Sequence, residues 1–257
     1  MSLLAIESVA VSFGGVAAVR DVTMQLERGE IRGLIGPNGA GKTSLINAIT
    51  GVVAVQSGAI KFAERDITAL APDRISEIGI GRTFQHVELF REETVFENVL
   101  SGLYRHHAYG LAAAMLGLAG RAESHARREA LALLDAFELR PLADTRAGDL
   151  PFGIQKRVDM ARALAVRPRL LLLDEPVSGM SEAEANEAIA TTRALARERD
   201  VTLLIVEHNM RVMMALAERI TVMHEGRIIA EGSPADVRAD GAVIDAYLGE
   251  ESADARA

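Results

Sequence analysis

The stretch GPNGAGKTS, residues 36–44, constrains the fold of this chain more than any other feature. It fits the pattern G-x-x-x-x-G-K-S/T, and it follows a short apolar run at residues 31–35 that predicts a buried strand. The residues after it, 42–50, show the apolar spacing of a helix. A strand, a glycine-rich loop and a helix in this order predict a phosphate-binding loop, and with it an α/β fold.

The residue types of this loop suit a triphosphate and a magnesium ion. Glycine has no Cβ, so the backbone can wrap closely around phosphate oxygens and present its N–H groups to them. Lys42 is expected to reach the β- and γ-phosphates, and Thr43 offers a hydroxyl to Mg²⁺. The predicted ATP site therefore comprises the whole loop: Gly36, Pro37, Asn38, Gly39, Ala40, Gly41, Lys42, Thr43 and Ser44.

Two carboxylates follow another apolar run, in LLLLDEP at residues 170–176. At the end of a buried strand Asp174 can hold Mg²⁺ through water, and Glu175 can orient and polarise the water that attacks a phosphate. The alternative interpretation is a strand that ends in two solvated carboxylates. The phosphate-binding loop in the same chain favours the catalytic interpretation.

The stretch TLLIVEHNM, residues 202–210, predicts a second strand of the same kind, with a helix at 181–199 between the two. Nearly all-apolar strands that alternate with helices are typical of a parallel sheet buried on both faces. The carboxyl ends of such strands line one crevice. His208 is therefore predicted to contact the γ-phosphate, the alternative being a histidine with a purely structural role.

Composition and spacing argue against several other functions. A net charge of −8 argues against nucleic acid as a main partner, and the absence of cysteine excludes disulfide and thiolate chemistry. The best candidate for a membrane span, residues 109–120, is far shorter than the roughly 20 residues required. His106, His107 and His125 lack carboxylate or cysteine neighbours at ligand spacing, which favours a solvated helix face over a metal site.

Strand patterns disappear from about residue 88 to 150, and the stretch LPFGIQKRVDMARAL at 150–164 then has the pattern of an amphipathic helix. No Ser, Thr, Asp or Asn stands just before Ile154 to cap it. Either a tight loop simply enters the helix, or the N–H groups around Gly153 await an external anion. Three basic residues fall on faces other than the apolar one: Lys156, Arg157 and Arg162.

The order of these motifs resembles the ATP-binding subunit of ABC transporters over nearly the whole chain. The series comprises Phe13, the phosphate-binding loop, Gln85, the helical part, LPFGIQ, LLLLDEP, the loop SGMS (178–181) and His208. Within that superfamily, the stretch 79–100, the motif LPFG and the ending DAYLGE (245–250) resemble the uptake family for branched-chain (hydrophobic) amino acids. Urea and amide importers share these features.

The resemblance implies a P-loop NTPase (RecA-like) core with an antiparallel β subdomain and an α-helical subdomain, which is the ABC ATPase fold. It implies one domain over residues 1–257. Residues 1–87 and 161–232 would form the nucleotide-binding core, 88–160 the helical subdomain with the signature loop, and 233–257 a C-terminal helix and tail.

The resemblance also implies partners. A second ATPase subunit, either a paralogue or an identical chain, would pack head to tail, so that the N–H groups around Gly153 face the γ-phosphate of the opposite subunit. Gln85 would join the magnesium site and, with the helical part, transmit opening and closing to two membrane permease subunits. A periplasmic binding protein would be an indirect partner. The chain would lie peripherally on the cytoplasmic face of the inner (plasma) membrane.

Several positions depart from the superfamily pattern or stay ambiguous. The usual signature is Leu-Ser-Gly-Gly-Gln, whereas Pro151, Phe152 and Ile154 replace its Ser, first Gly and Gln here. The serine hydroxyl contact is lost, although the backbone amides remain. Ser181 stands where an Asp is usual. Phe13 could belong to the core or stack on adenine.

Two other classes of protein compete with a transporter ATPase. The first is a soluble ABC-type ATPase of DNA repair or translation, which usually carries two ATPase units in one chain or a long coiled-coil insert. This chain shows neither feature. The second is a regulatory module that binds nucleotide without hydrolysis, and the presence of Glu175 and His208 argues against it.

Overall fold

The computed structural model describes residues 2–83, 87–104, 118–207 and 210–254. The strands are β1 (Ser2–Phe13), β2 (Val16–Glu27), β3 (Ile31–Ile35), β4 (Ser57–Phe62), β5 (Arg65–Asp66), β6 (Ile80–Arg82), β7 (Leu170–Asp174), β8 (Thr202–Val206), β9 (Arg219–His224) and β10 (Arg227–Gly232). The helices are α1 (Lys42–Ile49), α2 (Pro72–Glu77), α3 (Val95–Tyr104), α4 (Leu118–Ala136), α5 (Phe152–Ala165), α6 (Glu182–Glu198), α7 (Met210–Leu216), α8 (Pro234–Ala239) and α9 (Gly241–Asp254).

The larger sheet has six strands in the order β10-β9-β3-β8-β7-β6. Its strands from β9 to β6 are parallel, and β10 closes one edge as an antiparallel hairpin partner of β9. The predicted parallel sheet is therefore confirmed. The carboxyl ends of β3, β7 and β8 lie side by side, which places the phosphate-binding loop and the Asp174–Glu175 pair at one edge of the sheet.

The central strands are apolar because both of their faces are buried. Along β7, Leu171 and Leu173 pack into one apolar cluster, which also contains residues of α3, α4 and α5. The alternate residues Leu170 and Leu172 pack into a second cluster on the other face of the sheet. Side chains alternate between the two faces of a strand, so a strand with an apolar cluster on each face needs an apolar residue at nearly every position.

The smaller sheet is antiparallel, in the order β2-β1-β4-β5. It shares the second cluster with α1, where Leu4 and Ile6 meet Leu45 and Ile46. The β1–β2 turn falls at Gly14–Gly15, both with positive φ, and β2 begins directly after it at Val16. This sheet is the predicted antiparallel β subdomain.

The helical part begins with α3 and α4, which bury an apolar seam that includes Val99, Leu103, Ala130 and Leu133. Helix α5 packs on both of them and continues to Ala165. It therefore crosses the boundary predicted between residues 160 and 161, and the core and the helical part share one rigid element. The division of the chain into subdomains stays a prediction.

The last part of the chain is a hairpin followed by two helices. The β9–β10 hairpin turns at Glu225 and Gly226, and Ser233 caps α8 by a capping box with Asp236. Among the helices that the structure describes, none is long and apolar enough to span a bilayer. Most of the apolar segment 109–120 lies outside the described residues.

Candidate nucleotide-binding site

The phosphate-binding loop connects β3 to α1 in a conformation that requires glycine. Gly36, Gly39 and Gly41 all have positive φ, and Gly41 is the N-cap of α1 with no side-chain cap. A Cβ on Gly36 would clash with the carbonyl oxygen of Met223, and one on Gly41 with that of Ala18. The glycines therefore let neighbouring backbone approach the loop as well as leave its N–H groups open.

Tertiary contacts hold the loop in this shape. The N–H of Gly226, in the β9–β10 turn, donates to the carbonyl of Ala40 over 3.0 Å. The N–H of Arg20 on β2 donates in turn to the carbonyl of Gly226 over 2.7 Å. Hydrogen bonds thus connect the loop to the β9–β10 turn of the larger sheet and, through that turn, to β2 of the smaller sheet.

The ligand side of the loop faces solvent. Asn38, Gly39 and Thr43 are exposed, whereas Lys42 is only 8% exposed. The Lys42 ammonium donates to the carbonyls of Gly36 (2.6 Å) and Pro37 (2.8 Å). The ammonium therefore lies next to the loop backbone, where it can contact a bound phosphate without a large side-chain movement.

Asp174 ends β7 in an almost fully buried position, at 1% exposure, and pairs with Arg82 of β6 over 3.0 Å. Burial raises the pKa of Asp174, and the Arg82 guanidinium opposes that shift. Burial likewise lowers the pKa of Arg82. The guanidinium also donates to the Asn47 side chain on α1 over 2.6 Å. Arg82 therefore connects the helix that follows the phosphate-binding loop to Asp174 at the end of β7.

We expect Arg82→Met to lower the free energy of unfolding by about 3 kcal/mol, because it leaves the Asp174 carboxylate buried without its partner. Urea unfolding of the purified chain measures this loss. The matched control is Arg82→Met combined with Asp174→Asn, which removes the uncompensated charge and should recover most of the stability. Equal losses in the single and double variants would contradict the ion-pair explanation.

Glu175 follows Asp174 with a left-handed backbone, at φ +47°. Its N–H donates to the carbonyl of Val206 over 2.9 Å, and its own carbonyl accepts from the Ser178 hydroxyl over 3.1 Å. This conformation costs a non-glycine residue about 1–3 kcal/mol, and it persists only where the surroundings hold it. The carboxyl-bearing side chain is half-buried at the sheet edge, beside Asp174.

The signature stretch forms the N-terminus of α5. Pro151 is the N-cap, no side chain caps the helix, and the first turn is closed by a bond from Gln155 N–H to the Pro151 carbonyl. Within the described part of the chain, the N–H groups of Phe152, Gly153 and Ile154 have no acceptor. The helix thus begins at Phe152, two residues earlier than Ile154, and its open amides lie where the sequence predicts them.

The polar residues of α5 are buried, which its amphipathic pattern does not anticipate. Lys156, Arg157 and Asp159 are 2%, 8% and 3% exposed. Arg157 pairs with Glu187 over 2.9 Å, and Asp159 with Arg162 over 2.7 Å. The faces away from the apolar one thus carry buried charged side chains, and Arg157 and Asp159 are each paired with a more exposed partner of opposite charge.

Ser181, where the superfamily pattern has Asp, caps helix α6. Its hydroxyl accepts from the Glu184 N–H, and the Glu184 carboxylate accepts from the Ser181 N–H over 2.9 Å. The Ser181 hydroxyl also donates to the Glu184 carboxylate over 2.6 Å, and this bond, together with that from the Ser181 N–H, lowers the pKa of Glu184 because both favour its charged form. The serine therefore completes a capping box at the end of the SGMS loop.

We expect Ser181→Ala to reduce the free energy of unfolding by about 1 kcal/mol through loss of this cap. Ser181→Asp should keep most of the stability, because Asp is also a good N-cap. Denaturant titration of the two variants beside the unmodified chain tests both statements. An alanine variant as stable as the original would show that the capping box contributes nothing.

The structure leaves some predicted site residues untested. Gln85 and His208 lie outside the described residues, as do His106 and His107. Phe13 is 49% exposed at the end of β1, which excludes a core role, and its stacking on adenine stays a prediction. His125 is exposed on α4, as predicted.

Three residues near the site have no signal in the sequence that would single them out. Arg82 pairs with Asp174, as described above. The Lys156 ammonium donates to the Glu175 carbonyl over 3.1 Å. Glu207 at the end of β8, 1% exposed, accepts from the Val177 N–H over 3.3 Å. Each contact joins residues far apart in the chain, and only the sheet order and the helix placement bring them together.

Comparisons with known proteins agree with this architecture. A family model described as "ABC transporter" matches residues 19–178, and one described as "Branched-chain amino acid ATP-binding cassette transporter" matches 227–253. The chain is similar to the high-affinity branched-chain amino acid transport ATP-binding protein LivG of Salmonella typhimurium, with 38% identity over 96% of this chain and 98% of LivG. BraF of Pseudomonas aeruginosa, which carries the same description, is 36% identical over the same shares.

Solved structures give the same result. A nucleotide-free ATP-binding cassette of an ABC transporter has a TM-score of 0.82 and 31% identity, covering 96% of this chain and 99% of that one. The dimeric post-hydrolysis state of another cassette, bound to ADP and Pi, has a TM-score of 0.77 and 25% identity, covering 90% and 98%.

The fold and the site define an ABC-type ATPase. The phosphate-binding loop and the Asp174–Glu175 pair lie together at the carboxyl ends of the parallel strands, and the signature stretch begins a separate helix, α5. The chain belongs to the ABC transporter family of ATP-binding proteins, in the branch that contains LivG and BraF. It binds ATP, and the reaction of this family is ATP hydrolysis.

Proposed function

We propose that this chain is the ATP-hydrolysing motor subunit of a membrane importer for branched-chain or other hydrophobic amino acids. The observation that carries the proposal is the 38% identity to LivG, a branched-chain amino acid transport ATP-binding protein, over almost the full length of both chains. Urea or amide import by the same subfamily is the alternative substrate class. Similarity to named transport proteins over the whole chain favours a transporter over a soluble ATPase.

The site suggests how hydrolysis proceeds. The loop amides and the Lys42 ammonium bind and neutralise the β- and γ-phosphates. Glu175 orients a water for in-line attack on the γ-phosphorus and accepts its proton, the bond between the γ-phosphorus and the bridging oxygen breaks, and ADP leaves. His208 stabilises the transferred phosphoryl group.

The residues present fit a magnesium ion. Mg²⁺ takes only one or two protein oxygens and completes its shell with water and phosphate. The described residues contain no cluster of three or more His, Cys, Asp or Glu that could hold a metal alone, but Thr43 and Asp174 offer a hydroxyl and a buried carboxylate oxygen. They would hold the ion together with Gln85, and the bound ion would neutralise charge on the phosphates.

Dimerisation would complete the site. The first turn of α5, which carries the open N–H groups, packs beside Gly179 and Met180 in the loop after Glu175, through the Phe152 ring and the Gly153 Cα side. We propose that they bind the γ-phosphate held by a second ATPase subunit, which is a paralogue or an identical chain. The dimeric cassette with ADP and Pi among the similar structures supports such a pairing. The helix dipole adds up to about 2 kcal/mol for a partly buried charge.

A cleft of about 220 Å³ suits the permease partners. It is lined by residues of the core and of α5, including Val52, Pro72, Ile75, Arg82 and Ala163. Arg82 joins this cleft to Asp174, so a permease segment seated there would sense the state of the site. A second permease on the second ATPase would complete the assembly, peripheral to the cytoplasmic face of the membrane.

Reconstitution tests the proposal. The chain is co-expressed with candidate permease subunits and a second ATPase subunit, and proteoliposomes with a candidate binding protein are supplied with radiolabelled leucine, urea or acetamide. We expect ATP-dependent leucine transport, inhibited by unlabelled isoleucine and valine. Transport of urea or acetamide alone would favour the alternative substrate class. A chain that hydrolyses ATP but associates with no permease would exclude the transporter role.

A further inference from the structure

The start of the second turn of α5 carries a buried cation, Lys156, directly against the backbone of the predicted general base. Lys156 is 2% exposed, and its ammonium donates to the backbone carbonyl of Glu175 over 3.1 Å. A lysine is almost never buried to this degree without a charged environment or a specific role. Glu175, whose carbonyl accepts this bond, has a left-handed backbone conformation.

The surroundings of this ammonium are strongly acidic. Burial lowers the pKa of Lys156, and four carboxylates from α5 and the ends of β7 and β8 oppose that shift: Asp159, Glu175, Glu207 and Asp174. The ammonium therefore lies between the signature helix and the carboxyl ends of two adjacent strands. It compensates the negative charge that gathers at this edge of the sheet.

Phe152, which is exposed, covers the Lys156 ammonium and its acidic neighbours on the side that faces solvent. Its ring centroid lies 5.5 Å from the Lys156 ammonium, one helical turn away, which is a cation–π distance. The same ring lies against Gly179, where an added Cβ would approach it to 3.0 Å. Phe152 stands where the superfamily signature has its first Gly, so the departure from the usual signature has a packing role here.

We propose that Lys156 is a positioning residue for hydrolysis. It holds the left-handed backbone of Glu175, and it couples the movement of this general base to that of the signature tip, the first turn of α5 from Phe152 to Gln155. Gly153, whose amide would meet the partner's γ-phosphate, lies one turn before Lys156 on the same helix. Docking of the signature tip therefore sets the position of Glu175 of the same chain. This inference rests on the proposed function and deepens it.

The test uses the assembled transporter and two substitutions at one position. Lys156→Met keeps the aliphatic stem and removes the charge and the donor. We expect kcat for ATP hydrolysis to fall at least about tenfold with KM changed less than about threefold, because a misplaced catalytic group slows chemistry more than binding. Because the chain has no cysteine, Lys156→Cys alkylated with 2-bromoethylamine restores an ammonium at this site alone, and it should recover kcat.

Combination with Glu175→Gln separates positioning from general structural support. If Lys156 acts through Glu175, Lys156→Met should change the residual rate of the Glu175→Gln enzyme less than about twofold. An equal loss in both backgrounds would overturn the inference, as would an unchanged kcat in Lys156→Met. Should Lys156→Met not fold, the alkylated cysteine variant decides: a refolded protein that stays slow overturns the inference.

Two variants distinguish a wrong general base from a wrong role for Lys156. A Glu175→Gln enzyme that hydrolyses ATP at the original rate would remove the proposed base and, with it, this inference. A Glu175→Gln enzyme that is inactive beside a Lys156→Met enzyme with unchanged kcat would remove only the role of Lys156.

Discussion

Replacing Glu175 by glutamine is expected to lower kcat for ATP hydrolysis about 10³-fold while ATP still binds. Glutamine preserves the size of the half-buried side chain, so the left-handed backbone and its bonds to Val206 and Ser178 should persist. What disappears is the carboxylate that orients water and accepts its proton. The phosphate-binding loop is anchored by other residues and should be unaffected.

Phosphate release measures the rate, and equilibrium binding of a fluorescent ATP analogue measures affinity. Because ATP is then bound but not cleaved, size-exclusion chromatography with ATP and magnesium should also show a stabilised dimer of ATPase subunits. Glu182→Gln, at an exposed position in the first turn of α6, is the matched control and should hydrolyse ATP normally. Normal turnover by the Glu175 variant would remove this residue from the mechanism.

Replacing Gly153 by alanine is expected to reduce ATP hydrolysis in the assembled transporter about 100-fold, the loss typical for removal of a preorganised N–H contact to developing charge. The reason lies in the second subunit. Among the described residues of one chain, and apart from the backbone of its own helix, a Cβ at Gly153 would approach the Met180 side chain alone, at an ordinary 3.5 Å. The folded chain therefore accepts the methyl group, which in the dimer would hold the γ-phosphate away from the amides.

Thermal unfolding and nucleotide affinity of the isolated chain should hence be nearly the same for Gly153→Ala and the original. The control is Gly120→Ala on α4, where an added Cβ has open space and where we expect no change in either measurement. Hydrolysis at the original rate by the Gly153 variant would show that the helix tip contacts no phosphate. Loss of stability in the isolated chain would instead assign Gly153 a folding role.

These two predictions assign the two halves of one reaction to different chains. Under the proposed function, Glu175 would act on the nucleotide held by its own loop, and Gly153 would act on the nucleotide of the partner. The contact between Lys156 and the Glu175 carbonyl connects the two halves within each subunit. ATP would then stabilise the closed dimer by binding both surfaces, and its hydrolysis would release them.

The chemistry of the loop could be predicted from the sequence because it depends on neighbouring residues. Glycine spacing, Lys42 and Thr43 act within a few residues of one another, and a buried strand before them and a helix after them are local patterns. The apolar runs of β7 and β8 predict a parallel sheet for the same reason, since burial on both faces leaves no polar position.

Only the tertiary structure decided which charges meet. Arg82 and Asp174 are 92 residues apart in the chain, and they pair because β6 lies beside β7 in the sheet. The period of α5 places Lys156 off its apolar face, which does not distinguish a solvated side chain from one buried against Glu175. That choice depends on what covers the other faces of the helix, and neighbouring residues in the sequence carry no information about it.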